Sequence, residues 1–148
     1  MRIRQRKTPV LVGTLLIMML GISSYSETNS QHLKCLLIQQ KFSGVLDSGV
    51  TLTSLGSMRC GDKSLRVIYY EWNEPGPRPG LAQHASYRVL FMEGSVYLGH
   101  YTVEDKPVIR DDILRFPYSK SGYMISCKKD GVLPESIVLD GQPMTLQK

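Results

Sequence analysis

No Cys-x-x-Cys pair, His-x-x-x-His spacing, Gly-x-Ser-x-Gly elbow or phosphate-cradling glycine loop occurs in the 148 residues. The absence leaves the common zinc, acyl-transfer and nucleotide chemistries without a sequence foothold. Histidine is scarce, and His32, His84 and His100 fall in unrelated segments. The adjacent acids Asp111 and Asp112 do not make an acid–base pair, because neighbouring side chains of a strand point to opposite faces; they read as a solvated turn. An enzyme is therefore not the expectation, and no cofactor or metal is implied. No internal repeat and no amphipathic helical period is visible either, which removes solenoids and helix bundles.

The basic excess is also missing from most of the chain. Lys and Arg total 18 against 13 Asp and Glu, but Arg2, Arg4, Arg6 and Lys7 precede every acid. Beyond residue 26 the count is 14 against 13, so the alkaline pI belongs to the N-terminus and is no nucleic-acid footprint. Those four cations are followed by an apolar run, Pro9 to Ile22, and by Ser24 and Ser26 at the two positions a signal peptidase reads. Basic, apolar and small-residue regions in that order make residues 1–26 a secretory signal peptide. About 14 apolar residues fall short of the roughly 20 that span a bilayer, which favours cleavage over an uncleaved anchor and leaves membrane attachment to the anchor alternative. Residues 27–32 read as a disordered leader and 33–148 as a single domain outside the cytoplasm, periplasmic or secreted.

Export changes the meaning of three cysteines, since thiols outside the cytoplasm tend to pair. Of the three bridges open to Cys35, Cys60 and Cys127, Cys60 to Cys127 is favoured because each abuts a strand-like run. Such a bridge closes a loop of about 67 residues. Cys35 is left free, buried or joined to a second chain in a disulfide-linked dimer.

What the chain has in quantity is short β-branched and aromatic runs separated by turn residues. Ser64 to Trp72 is the longest, with Leu65, Val67, Tyr69 and Glu71 on one face and Arg66, Ile68, Tyr70 and Trp72 on the other. Apolar bulk on both faces predicts a central strand. The run stops at Asn73 to Gly80, where three prolines and two glycines in eight residues forbid a ladder. Ser86–Met92 and Ser95–Val103 around Glu93-Gly94 predict a hairpin. Further strands are expected at His32–Phe42, Val50–Thr53, Ser121–Lys128 and Ser136–Leu139. Asp111–Phe116 fits a strand or a helical turn, and Gln142–Lys148 has little prospect of structure. The fold class is all-β, a small antiparallel barrel or sandwich of about 6–7 strands, large enough to bury a core without help.

Two surfaces are candidates for binding. Tyr70 and Trp72, in an aromatic-rich middle third beside the proline-glycine loop, could supply contact area at low entropy cost; core packing accounts for the same residues. The second is the polar loop Tyr118 to Tyr123. Cys60-Gly-Asp-Lys-Ser-Leu-Arg-Val67 resembles the cysteine-plus-strand opening of the small exported β-barrel inhibitors of c-type lysozyme, and Ser119-Lys-Ser-Gly122 is similar to their Ser-x-Ser-Gly loop. The resemblance covers some 15 residues. It implies that Ser119 and Lys128 or Lys129 would enter a lysozyme cleft; Lys120, in the same loop, is a further binding candidate. The chain departs from the family pattern in its shorter spacing from loop to lysine, in having no tryptophan before that lysine, and in having no cysteine near its C-terminus. The expected function is that of an exported binding protein for a protein or glycan ligand, with no nucleic-acid partner. The alternatives are a lysozyme inhibitor and an envelope or adhesin-like structural component.

Overall fold

The computed structural model describes residues 29–75, 82–120 and 122–148. The signal segment, residues 27 and 28 of the leader, and most of the proline-glycine loop (76–81) lie outside the described residues. The chain divides into an N-terminal unit that ends at Cys35 and a second unit, Leu36–Lys148. Within residues 29–39 the backbone is helical, here α1, which corrects the strand expected at His32–Phe42. Leu36-Leu37-Ile38 satisfies either period, and burial decides between them: Leu33 and Leu37 are buried while Cys35 between them is exposed, the spacing of a helix face and not of a strand face. The expected leader is corrected with it, since residues 29–32 are already helical.

The second unit is built on an antiparallel meander, β1 (Val50–Cys60), β2 (Lys63–Pro75), β3 (Ala82–Glu93) and β4 (Val96–Val103), in that spatial order. β2 holds the central run and pairs on both sides, with Tyr69 opposite Thr53 of β1 and Val89 of β3. The hairpin at Glu93-Gly94 forms as expected, Gly94 taking the left-handed φ of 59° that such a tight turn requires. β1 runs far beyond the expected Val50–Thr53, because a bulge at Leu55, beside Gly56 at φ 113°, lets pairing resume after one extra residue.

Three smaller strands follow, β5 (Val108–Arg110), β6 (Ile113–Arg115) and β7 (Met124–Ile125), as a second antiparallel sheet. Asp111 and Asp112 are the two turn residues between β5 and β6, with φ of 54° and 59°. Successive positive φ values mark the turn whose twist matches a hairpin, and both residues are exposed. A last hairpin pairs β8 (Ser136–Leu139) with β9 (Gln142–Thr145) around Asp140-Gly141. The tail is thus structured, contrary to expectation: beyond β9, His100 and Gln147 exchange backbone hydrogen bonds of 2.8 and 2.9 Å, which clips the C-terminus to the outer edge of β4.

The alternation of β2 sorts the core. Leu65, Val67 and Tyr69, with Val89 and Phe91 of β3 and Tyr101 and Val103 of β4, meet Leu114, Phe116, Ile125, Leu133, Ile137 and Leu139 from the C-terminal hairpins in one cluster. On the opposite face Ile68, Tyr70, Leu90 and His100 are buried with Leu37 and Phe42, and the Phe42 ring stands edge-on to Tyr70, Tyr97 and His100 at 5.3–5.6 Å. A central strand apolar on both faces therefore has a layer on each side. The strands do not close into a barrel among the described residues; the protein is a sandwich-like all-β fold with nine described strands. No helix among the described residues is long and apolar enough to cross a membrane.

Cys60 at the end of β1 and Cys127 after β7 form the expected disulfide, Cα to Cα 5.2 Å over a sequence separation of 67. It staples the first strand of the meander to the segment that follows the second sheet. Cys35 is free and exposed.

Candidate functional site

The residues expected to bind separate into buried and exposed groups. Tyr70 is 1% exposed, and its hydroxyl donates to the Val45 carbonyl at 2.8 Å. Burial, with Asp47 adding to it and Arg88 opposing, raises its phenol pKa. It is a layer residue rather than a contact residue. Trp72 is half-buried at the β1–β2 end of the sheet, opposite Val50, with its indole nitrogen buried. Arg88 lies over both the Phe42 and Tyr70 rings, at 5.4 and 5.3 Å, so the aromatic cluster is occupied by the chain's own cation.

Ser119 is 8% exposed. Its hydroxyl donates to Asp140 Oδ1 at 3.2 Å and accepts the Tyr123 N–H at 3.3 Å, while the Gly122 N–H donates to its carbonyl at 3.0 Å. These bonds hold the 118–123 turn against the tip of the β8–β9 hairpin. Lys120, Lys128 and Lys129 are exposed. Lys128 opens a turn closed by its N–H to the Val132 carbonyl at 2.8 Å and the Gly131 N–H to its own carbonyl at 2.9 Å. His84 lies where side chains are not described. His100 is fully buried with Nδ1 against the Tyr97 hydroxyl, and burial, then the nearby Arg88 charge, lowers its pKa to about 4. The imidazole is neutral at ordinary pH and shielded from solvent, so it is part of the packing of β4 against Phe42.

The contact from Ser119 to Asp140 leads to a surface that the sequence did not point to. Between the end of β4 and the β8–β9 hairpin lies an open groove of about 600 Å³. Its lining includes Glu104 and Asp105 just after β4, Asp140 at the hairpin tip, and Thr102, Gln142 and Pro143. The fold brings these together because Val103 and Leu139, also in the lining, turn inward to the shared core. Thr102 and Glu104, either side of Val103, are left at the surface by the period of the strand, and Asp140 and Gln142 are exposed at the hairpin turn. Asp140 takes a left-handed φ of 49° in the Asp-Gly turn, a conformation that Asp tolerates better than most side chains.

No family model matches this chain, and no curated protein or solved structure shows significant similarity to it. The groove is accordingly read from its own chemistry. It carries three carboxylates and no Lys or Arg in its lining. The nearby Lys106 ammonium is placed over the Tyr69 ring at 5.4 Å. Burial, followed by the charges of Glu71, Tyr87 and Asp105, pushes the Tyr69 phenol up to about 12, so this ring stays neutral beneath the lysine. No cluster of three or more His, Cys, Asp or Glu suited to a metal is present among the described residues. The arrangement suits attraction of a cationic group from solution, with amide and hydroxyl side chains at hand to hydrogen-bond it. In the sequence the only local signals were turn residues, and acids 35 positions apart gave no pattern.

Proposed function

We propose that the protein is exported through residues 1–26, cut after Ser26, and acts outside the cytoplasm by binding the basic segment of another protein in the groove between β4 and the β8–β9 hairpin. The single observation that carries this reading is the groove lined by Glu104, Asp105 and Asp140 with no cationic side chain among its lining residues. The disulfide supports an oxidising compartment. An inhibitor of lysozyme would have to act through Lys120 and Lys128, because the Ser119 hydroxyl is already engaged by Asp140 and the Tyr123 N–H.

Calorimetric titration of the purified protein with tetralysine tests the proposal, run beside an amino-sugar oligomer that distinguishes a glycan ligand from a peptide. The expected result is saturable tetralysine binding that weakens with salt and falls about tenfold or more, or roughly 1.4 kcal/mol, in Glu104→Gln with Asp105→Asn. Asp140 is left intact in that variant because it holds the Ser119 turn. Absence of saturable binding, or equal binding by the variant, overturns the proposal.

A further inference from the structure

The two edges of the main sheet are treated differently. The outer edge of β4 is closed by the chain's own tail at His100–Gln147. The outer edge of β1 is occupied at its start, where the Val50 N–H donates to the Asp47 carbonyl at 3.3 Å, and along its second half, where Ile109 of the β5–β6 hairpin lies beside Gly56 and the Arg59 N–H donates to the Asp112 carbonyl at 3.0 Å. Between them the ladder to β2 fixes which groups point outward. The Asn73 N–H reaches the Gly49 carbonyl at 3.4 Å, so Gly49, Thr51 and Thr53 face β2 in the register with Asn73, Glu71 and Tyr69. Leu52 and Ser54 consequently direct their N–H and C=O groups away from the sheet, and neither has a backbone partner there among the described residues.

Natural edges of this length are usually guarded by lysine, proline or an inward-pointing charge. From Val50 to Met58 β1 has none: the sequence is Val-Thr-Leu-Thr-Ser-Leu-Gly-Ser-Met. The Gly56 bulge and the β5–β6 hairpin beside it both lie beyond Ser54. We infer that β1 pairs antiparallel with β1 of a second copy of this chain, about a two-fold axis through Thr53. Leu52 of each copy then faces Ser54 of the other, and the two pairs exchange four backbone hydrogen bonds, which joins two four-stranded meanders into one eight-stranded sheet. A second copy fits this edge because a strand without charge meets no like-charge repulsion when laid against itself, and because Thr53 meeting Thr53 is a favourable cross-strand pair. The inference is independent of the acidic groove, which lies at the opposite edge of the sheet.

Light scattering on the chromatographed full chain tests it, in a Cys35→Ser background so that a thiol-linked dimer is not counted. The expected result is a concentration-dependent dimer. Ser54→Pro deletes an N–H that the β1–β2 ladder does not use, and Thr53→Lys places two ammonium groups at the axis. Each variant is expected to raise the dissociation constant about tenfold or more. If Ser54→Pro fails to fold, Thr53→Lys alone decides. A parent that stays monomeric at about 100 µM, or a folded Thr53→Lys variant that dimerises as well as the parent, overturns the inference.

Discussion

His100 makes the stability of this fold depend on pH in a way that can be worked through. The side chain is 0% exposed, its Nδ1 meets the Tyr97 hydroxyl, and the Phe42 ring stands 5.3 Å away. Burial and the Arg88 charge lower its pKa from 6.5 to about 4. In the unfolded chain the imidazole takes up a proton near its ordinary pKa, whereas in the folded protein it resists until about 4. Between those values the unfolded state binds more protons, so stability falls as the pH drops. The contribution is complete above pH 6.5 and decreases by about 2 kcal/mol at pH 5 and about 3 kcal/mol at pH 4. Urea unfolding at pH 7.5, 6 and 5 measures it in a range where most carboxylates remain ionised. With a urea slope of about 1.5 kcal/mol per molar, the midpoint is expected to fall by about 1.3 M between pH 7.5 and pH 5. His100→Gln keeps an acceptor for Tyr97 but cannot titrate, so it should lose stability at pH 7.5 yet show a much flatter profile. The same dependence in parent and variant would refute the reasoning, as would an NMR titration in which the His100 ring protonates near 6.5 in the folded protein.

Other consequences are simpler to test. Intact mass after alkylation should show one modified cysteine without reductant, Cys35, and three after reduction. Cys127→Ser should cost about 4 kcal/mol in the chain-entropy account of a loop of this size, read as a lower urea midpoint; full retention of stability would argue against the bridge. Gly99 has a φ of 143°, and a Cβ there would lie 2.7 Å from the Gln147 carbonyl oxygen. Gly99→Ala is therefore expected to loosen the C-terminal clip and accelerate amide exchange at Gln147 while leaving the β1–β2 ladder protected.

Much of this fold could be read from particular residues. The alternation Leu65, Val67, Tyr69 against Ile68, Tyr70 located the central strand, because bulk on both faces has one physical outcome, a layer on each side. Cys60 and Cys127 paired as their places beside strands suggested, and Glu93-Gly94 marked its hairpin through glycine's freedom at positive φ. The helix was misread because Leu33, Cys35 and Leu37 alternate like a strand, whereas the burial of Leu33 and Leu37 with Cys35 exposed is the four-residue spacing of a helix. β9 escaped because Gln142-Pro-Met-Thr has little strand propensity; its pairing is imposed by the Asp140-Gly141 turn and by β8 beside it. The acidic groove could not be read at all, since Glu104 and Asp140 become neighbours only after the C-terminal hairpin folds back along β4.

The clip between Gln147 and His100 also bears on what the chain becomes if it is damaged. A sheet with one edge shut by its own terminus can add a neighbour on one side only, so association through β1 stops at two copies. Removing the last residues by proteolysis, or pulling them away with a badly placed C-terminal tag, would bare β4 as well. Each molecule would then offer two complementary edges, and a self-limiting pair could extend into an open-ended stack. For this protein the final residues mark the difference between an assembly that closes and one that grows.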